Sequence, residues 1–369
     1  MTPLRLAVIG AGHLGKIHAR LAAQLPEFTL AAVVDPHPAA RQAAAEALGV
    51  PARDDHRALL GEIDAAVVAA PTSLHFDIAA DLMRGGVHVL VEKPLAADPE
   101  QTAELVRLAR RRELVLQTGH VERFNPALLS VEGRLQAPRF IEARRLSGYT
   151  FRSTDVGVVY DLMIHDIDIC LALVKSPVVA VDALGAAVIG RHEDMASARL
   201  KFACGAVAQL TASRTSFRQE RVMNVYGPRV FASLDFAERQ ATVVEPHATL
   251  VDRSFRQDRL DAAEQARLRE HLFDELLVKQ TLPRVELNAI EEELRDFARA
   301  IHTGCPPRVT GAAGHDAVAV AHKVLEAVRE HAWDAEGLRR GPLAMPRDLQ
   351  AADLPIGDQD TVVLRTRAA

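Results

Sequence analysis

Residues 4–15, LRLAVIGAGHLG, run from a short apolar stretch rich in branched side chains into three glycines spaced G-x-G-x-x-G. The apolar stretch reads as a buried parallel strand. The following GKIHARLAAQL reads as a helix, and FTLAAVVD, residues 28–35, as a second buried strand ending in an acid. Glycine triplets also occur in plain turns, so the spacing alone decides little. The context decides: a strand before, a helix after, and Asp35 twenty residues beyond Gly15. Together these are a dinucleotide-binding fingerprint. Gly10 is expected to bend the chain, Gly12 to let the backbone approach a pyrophosphate, and Gly15 to let helix and strand pack closely. The unpaired N–H groups of the helix N-terminus then face the phosphates. Asp35 is suited to accept hydrogen bonds from ribose hydroxyls and to repel a 2′-phosphate. No arginine follows it directly, so NAD is expected rather than NADP. His13 and Leu14 lie inside the turn. His13 and His18 otherwise read as residues of the helix surface.

Working outward, the alternation continues. RQAAAEALGV is helical, IDAAVVAAPTSLHFDIAADLMRGG reads strand, turn, helix, and so does VHVLVEKPLAADPEQTAELVRLARRR; ELVLQTGH is a further strand. Strands alternating with helices predict a Rossmann-type, doubly wound parallel sheet over residues 1–122. Ligands on such sheets bind beyond the carboxyl ends of the strands. The turns at 70–75, 92–94 and 119–126 all fall there. The candidate cofactor contacts are therefore Gly10, Gly12, His13, Leu14, Gly15, Asp35, Pro71, Thr72, His75, Glu92, Lys93 and Glu122. Pro71 and Pro94 stiffen two of these turns, and the bond after Lys93 is a candidate cis peptide. Most lysines are solvated surface residues. Lys93, however, follows the buried run VHVLVE and precedes a proline, where a cation can be held and aimed.

After Pro126 the alternation stops. Segments 139–148, 178–190, 195–216 and 220–245 read as longer strands joined by tight turns, predicting a C-terminal α/β domain with an open, mainly antiparallel sheet over 123–336. Residues 257–281 read as a charged, helical excursion, and 286–304 and 312–331 as amphipathic helices. Residues 337–369 read as an irregular tail with one candidate strand at 361–365. The 369 residues, 49% hydrophobic, suffice for two domains with real cores. A net charge of −5 gives no reason to expect nucleic acid as a partner. No apolar run approaches the ~20 residues of a membrane span, and the first residues lack the features of a signal peptide. The three cysteines, Cys170, Cys204 and Cys305, have no metal or disulfide spacing and suit a reduced cytoplasm.

One stretch in the second half carries chemistry. DLMIHDIDIC, residues 161–170, sets Asp161, His165, Asp166 and Asp168 among apolar residues. On a helix, 161, 165 and 168 follow an i, i+4, i+7 stripe and present two acids and an imidazole to one point. A metal site, a proton-transfer site or a buried ion pair would each fit. A metal shell lacks a second cluster of ligands, so no metal is expected. Buried acids in helices need partners. Beside a dinucleotide fingerprint, proton transfer explains more: a neutral histidine can take a proton, and Lys93 is suited to stabilising a developing negative charge. Arg123 and Asn125 lie in a loop at the cofactor edge, where they are candidates for gripping a substrate phosphate or hydroxyl, with loop capping the plain alternative. Tyr149 and Arg152 precede the acidic helix and are candidates for closing over a substrate.

The G-x-G-x-x-G with its following histidine (GAGHLGKIH), the EKP turn and the DxxxHDxD helix, in this order, resemble the Gfo/Idh/MocA oxidoreductases over roughly residues 4–332. The resemblance implies hydride exchange between nicotinamide and a sugar or polyol hydroxyl. It implies Lys93, Asp161 and His165 as catalytic residues, and an open sheet that serves assembly into a homodimer or homotetramer. Within the family, GHVERFNP and DLMIHDID are most similar to enzymes that oxidise the 3-hydroxyl of UDP-N-acetylglucosamine before transamination, on the way to the diamino sugars of lipid A. That makes a sugar nucleotide the expected substrate. The alternatives are an inositol or free-sugar dehydrogenase with the same machinery, and an NAD(H)-sensing regulator, which would not need an intact Lys93, Asp161 and His165.

Overall fold

The computed structural model describes residues 2–151 and 156–331. The expected strand at 361–365 and Arg152 lie outside them. The first domain runs β1 (Leu4–Ile9), α1 (His13–Ala22), β2 (Phe28–Val34), α2 (Pro38–Leu48), β3 (Ala52–Arg53), β4 (Ala65–Val68), α3 (His75–Arg84), β5 (His88–Glu92), α4 (Pro99–Arg112) and β6 (Leu116–Gly119). Its six strands are all parallel, in the order β3-β2-β1-β4-β5-β6. This is the Rossmann order, with the crevice between β1 and β4 where the winding reverses. Strands β1, β4 and β5 are buried on both faces over residues 6–9, 65–68 and 89–91, which explains the apolar runs there.

The chain continues through α5 (Pro126–Leu129) and β7 (Phe140–Leu146). It then makes a π-helical turn at Val159–Met163 and enters α6 (Ile164–Val174). Next come β8 (Val178–Ala186), β9 (Met195–Phe202), β10 (Val207–Ser213), β11 (Glu220–Tyr226), β12 (Phe231–Asp235) and β13 (Gln240–Pro246). They are followed by α7 (Ala248–Val251), α8 (Ala262–Glu270), α9 (Leu272–Glu275), β14 (Leu277–Thr281), α10 (Ala289–Thr303) and α11 (Gly311–Glu330). The second sheet is ordered β14-β13-β12-β11-β7-β10-β9-β8, antiparallel except for the parallel pair β7 and β10. The excursion at 257–281 is helical only in part: Leu277–Thr281 pairs with β13 and ends the sheet. Its alternating LVKQT pattern was masked by the charged helices before it.

One face of this sheet is paved with small residues, Ala143, Ala196, Ala198, Ala208, Ala212 and Ala232, all buried. Small side chains let α6 and α11 lie close. A Cβ on Gly185 of β8 would stand 2.8 Å from Val328 of α11. The opposite face is mostly polar, with Glu142, Asn224, Ser233 and Thr242 in one row. Its apolar part is an adjacent row in which Tyr226 lies 5.5 Å from Phe140 and 4.8 Å from Phe231, ring to ring. Helix α10, late in the sequence, returns to the first domain: Leu294, Phe297 and Ala298 complete the core formed by β1, β2 and α1. Among the described residues no helix is long and apolar enough to cross a membrane.

Candidate active site

At the carboxyl ends of the first sheet, Gly10 has φ +106°, and a Cβ there would fall 2.5 Å from the Ala69 carbonyl oxygen. A Cβ on Gly15 would fall 1.8 Å from the Gly10 oxygen. Both positions therefore require glycine, for backbone conformation and for close approach. Gly12 caps α1 without a side-chain hydrogen bond, and a Cβ there would meet nothing within 4 Å. The first N–H groups of the helix face open space where a pyrophosphate fits. Asp35 ends β2 with Oδ2 accepting from Ala11 N at 2.7 Å and Oδ1 from His37 N at 2.8 Å, which fixes its carboxylate against the glycine turn. Arg41 donates to the Asp35 and Pro36 carbonyl oxygens at 3.3 and 3.0 Å. His13 and Leu14 are exposed at the turn. His75 is buried, with its ring nitrogens 2.8 Å from the Pro94 and Ala70 carbonyl oxygens, so it ties the 70–75 turn, where Pro71 and Thr72 lie, to the Lys93 turn. These residues fit NAD. Asp35→Ala removes a negative charge and two acceptors and leaves Arg41 beside the vacated position. We expect the NAD-over-NADP preference to shrink about 10- to 100-fold, the worth of hydrogen bonds to a charged group. Dissociation constants for both cofactors check this, and wild-type preference for NADP would contradict it.

Lys93 leaves β5 through a cis bond to Pro94. Its Nζ donates to the Asp161 backbone oxygen at 2.6 Å and to Asp161 Oδ1 at 3.1 Å. Asp161 sits in the π-helical turn, held in place from β9's flank: Val159 N donates to Glu193 Oε1 at 3.1 Å. His165 begins α6 one turn later, partly buried, and its ring meets that of His120 edge-on at 6.2 Å between centroids. Burial, then the positive charges of Lys93 and Arg145, push the His165 imidazole well below the usual histidine range. It is therefore neutral near pH 7 and able to accept a proton. Its Nδ1 is buried with no hydrogen-bond partner among the described residues, as are both ring nitrogens of His120. The expected convergence of Asp161, His165 and Asp168 needs correction. The wide turn takes Asp161 to Lys93, whereas Asp168 faces elsewhere and accepts from Arg123 at 3.3 Å. Each acid of the stretch holds one cation, and the imidazole is left without one.

Two family models match the chain: an oxidoreductase family with an NAD-binding Rossmann fold over residues 4–120, and the Gfo/Idh/MocA C-terminal domain over 127–230. The chain belongs to the Gfo/Idh/MocA oxidoreductase family. It is 34% identical over 331 residues to the UDP-N-acetylglucosamine 3-dehydrogenase of Acidithiobacillus ferrooxidans, covering 89% of this chain and 98% of that protein. The crystal structure of that enzyme, GnnA, superposes with a TM-score of 0.77 at 33% identity, covering 89% and 98% of the two chains. An inositol 2-dehydrogenase of Rhizobium meliloti is 27% identical over 346 residues, 89% of this chain and 97% of that protein. The protein is accordingly an NAD-dependent dehydrogenase.

Beneath the reacting edge, this Gfo/Idh/MocA enzyme carries two buried polar clusters that join its domains. In the first, Arg145 of β7 donates to Glu122 at 2.7 Å and to both oxygens of Asp166 at 3.2 and 2.8 Å. Asn125 donates to Glu122 at 2.9 Å and to the Phe236 oxygen at 3.1 Å, and its Oδ1 caps α5. Glu122 and Asn125, expected at cofactor and substrate, are thus engaged within the fold. For Asn125, both amide hydrogens are already used. In the second, His18 is wholly buried, not on the helix surface, and Nε2 lies 2.7 Å from Glu92 Oε1. Glu92 Oε2 accepts from Lys93 N at 3.2 Å. Glu293 of α10 completes the group, the three ligand atoms lying within 4.8 Å of one another. Burial would raise the Glu92 carboxyl, but His18 and Lys93 outweigh it and hold it below its usual range. Burial and the Glu92 charge push Glu293 well above its own, so it is the protonated member. The expected cofactor contact Glu92 therefore anchors the turn that carries Lys93. Tyr149 stands at the end of the second sheet with the Arg214 guanidinium 5.3 Å over its ring.

Proposed function

We propose that this dehydrogenase oxidises the 3-hydroxyl of UDP-N-acetylglucosamine to the ketone, the step before transamination to a diamino sugar of lipid A, in the cytoplasm. The pairing of a clamped Lys93 ammonium with a neutral, uncommitted His165 supports the reaction. The extent of similarity to the Acidithiobacillus enzyme, nearly its whole length, supports the substrate. The glycine turn, Asp35 and the strand ends through Lys93 would hold NAD, which would supply the hydride acceptor. The residues of the chain do the rest. Asp161 fixes Lys93 Nζ, which donates to the substrate oxygen and stabilises the negative charge that develops on it. His165 takes the hydroxyl proton. Arg123 and Tyr149 are the residues offered for contact with the remainder of the substrate. The inositol dehydrogenase relative motivates the competing reading. Incubation with NAD and UDP-N-acetylglucosamine, N-acetylglucosamine or myo-inositol, followed by NADH absorbance, separates them. NADH formed only with an inositol or free sugar rules out the sugar-nucleotide reading, and tight NAD binding without any turnover indicates a regulator.

Assembly follows from the outer sheet face. The Phe140, Tyr226 and Phe231 row is an apolar strip that a second copy would cover. We expect a homodimer or homotetramer in sedimentation at micromolar concentration, converted towards monomer by Tyr226→Lys; a monomeric wild type would contradict this.

A further inference from the structure

Strand β11 turns alternate residues to the two faces of the second sheet. Glu220 faces outward, where its Oε2 lies 3.3 Å from Arg144 Nε. Met223 and Val225 are buried on the inner face, and Arg221 shares that face. The strand register sets Arg221 directly beside Arg145 of β7. The two arginines differ in their partners. Arg145 is sunk between Glu122 and Asp166 and uses both. Among the described residues, Arg221 makes no side-chain hydrogen bond and no ion pair, and it is partly exposed. The register beside Arg145, which is bonded to Asp166, places Arg221 on the sheet face that carries the start of α6, where His165 lies.

A guanidinium beside a second guanidinium, with no ion pair among the described residues, is held against repulsion and desolvation. Such a placement is stable only if water, or an anion from outside the chain, completes it. The nearby carboxylates Glu122 and Asp166 are already taken by Arg145. The planar fork of arginine matches two oxygens of a phosphate at once. The dinucleotide phosphates have their own seat at the start of α1, in the other domain. We propose that Arg221 is the anion-binding residue of the substrate pocket, holding a phosphate of a nucleoside diphosphate sugar while the sugar ring lies at Lys93 and His165. The proposal rests on the sugar-nucleotide reading above. It adds the residue that makes the site prefer a nucleotide-linked sugar to a free one.

The test uses the full-length enzyme saturated with NAD, titrated with UDP and with uridine, for wild type, Arg221→Met and Arg221→Lys. Wild type should bind UDP more tightly than uridine. Arg221→Met should lose about 10- to 100-fold in UDP affinity, the usual worth of a charged hydrogen-bonded contact. Its uridine and NAD affinities should stay unchanged, and Arg221→Lys should recover part of the loss. With UDP-N-acetylglucosamine as substrate, KM should rise by a similar factor while kcat stays within a few-fold. Because Arg221 has no side-chain partner among the described residues, the melting temperature of Arg221→Met should not fall. A wild type that oxidises UDP-N-acetylglucosamine and an Arg221→Met variant with the same KM and UDP affinity would overturn the proposal alone. A wild type that binds UDP no better than uridine and oxidises only free polyols would overturn both readings. A melting temperature lowered by several degrees would show a structural partner and overturn it too.

Discussion

Lys93→Ala lowers turnover by roughly 10³-fold or more, because it removes both the donor to the developing alkoxide and the charge that organises Asp161. NAD affinity stays within a few-fold, since the pyrophosphate and ribose contacts lie at residues 10–15 and at Asp35. His165→Ala should cost about 10²–10⁴-fold, the range for a positioned base. The double variant should lose far less than the product of the two, because both groups act on one oxygen in one transition state. The pH dependence carries a sign of its own. Burial and the Lys93 and Arg145 charges hold the His165 imidazole below its ordinary range, so the base form persists as pH falls through that range. Turnover should thus stay flat from neutrality to below about pH 6.5, the unperturbed histidine value. An acid limb centred at or above that value would mean that another group accepts the proton. Melting temperature and NAD affinity measured on the same preparations separate lost chemistry from lost folding. If Lys93→Ala keeps near-normal turnover, the lysine is a strut between domains and nothing more.

Arg145→Met destabilises the protein by about 3–5 kcal/mol, the cost of breaking a buried ion pair by removing one partner. Burial would lower the guanidinium, but Asp166 and Glu122 outweigh it and raise it, so the charge is firmly held. Taking it away leaves two buried carboxylates, Glu122 and Asp166, facing each other across a cavity. Since β7, α6 and the 121–125 loop all meet there, the loss spreads to the junction of the two domains. Denaturant titration of purified protein reads the effect. Neutralising the stranded acids in the same background, with Glu122→Gln and Asp166→Asn, should return a large part of the loss, because an apolar or neutral replacement of a buried ionic group is far less costly than half of one. A stability within 1 kcal/mol of wild type for Arg145→Met would contradict the account of this cluster.

Local pattern carried much of this into view. The glycine spacing, the strand-helix alternation and Asp35 are encoded within a few turns of chain, and the structure bears out the Rossmann fold and the mainly antiparallel second sheet. What the pattern missed depends on partners distant in sequence. Lys93 meets Asp161 across 68 residues and His18 meets Glu92 across 74. His18 did carry a signal: it falls on the stripe of Gly15, Ala19 and Ala22, the packed side of α1, and only its polarity suggested the surface. The even spacing of Asp161, His165 and Asp168 misled because a π-helical turn breaks the 3.6-residue period between the first and the rest. No spacing could reveal that Asp168 belongs to Arg123, that α10 returns to the first domain, or that Glu293 joins His18 and Glu92 beneath the lysine turn. His120 was passed over because one histidine in a loop has no period to report.

The most direct test of the central claim is an isotopic one. UDP-N-acetylglucosamine deuterated at C3 is incubated with NAD and wild-type enzyme, and the NADH is analysed by mass. The account predicts one deuterium per NADH, with a 3-keto sugar nucleotide as the other product and no formation of either by the Lys93 and His165 double variant beyond a trace. NADH formed without deuterium, or formed undiminished by the double variant, would contradict it.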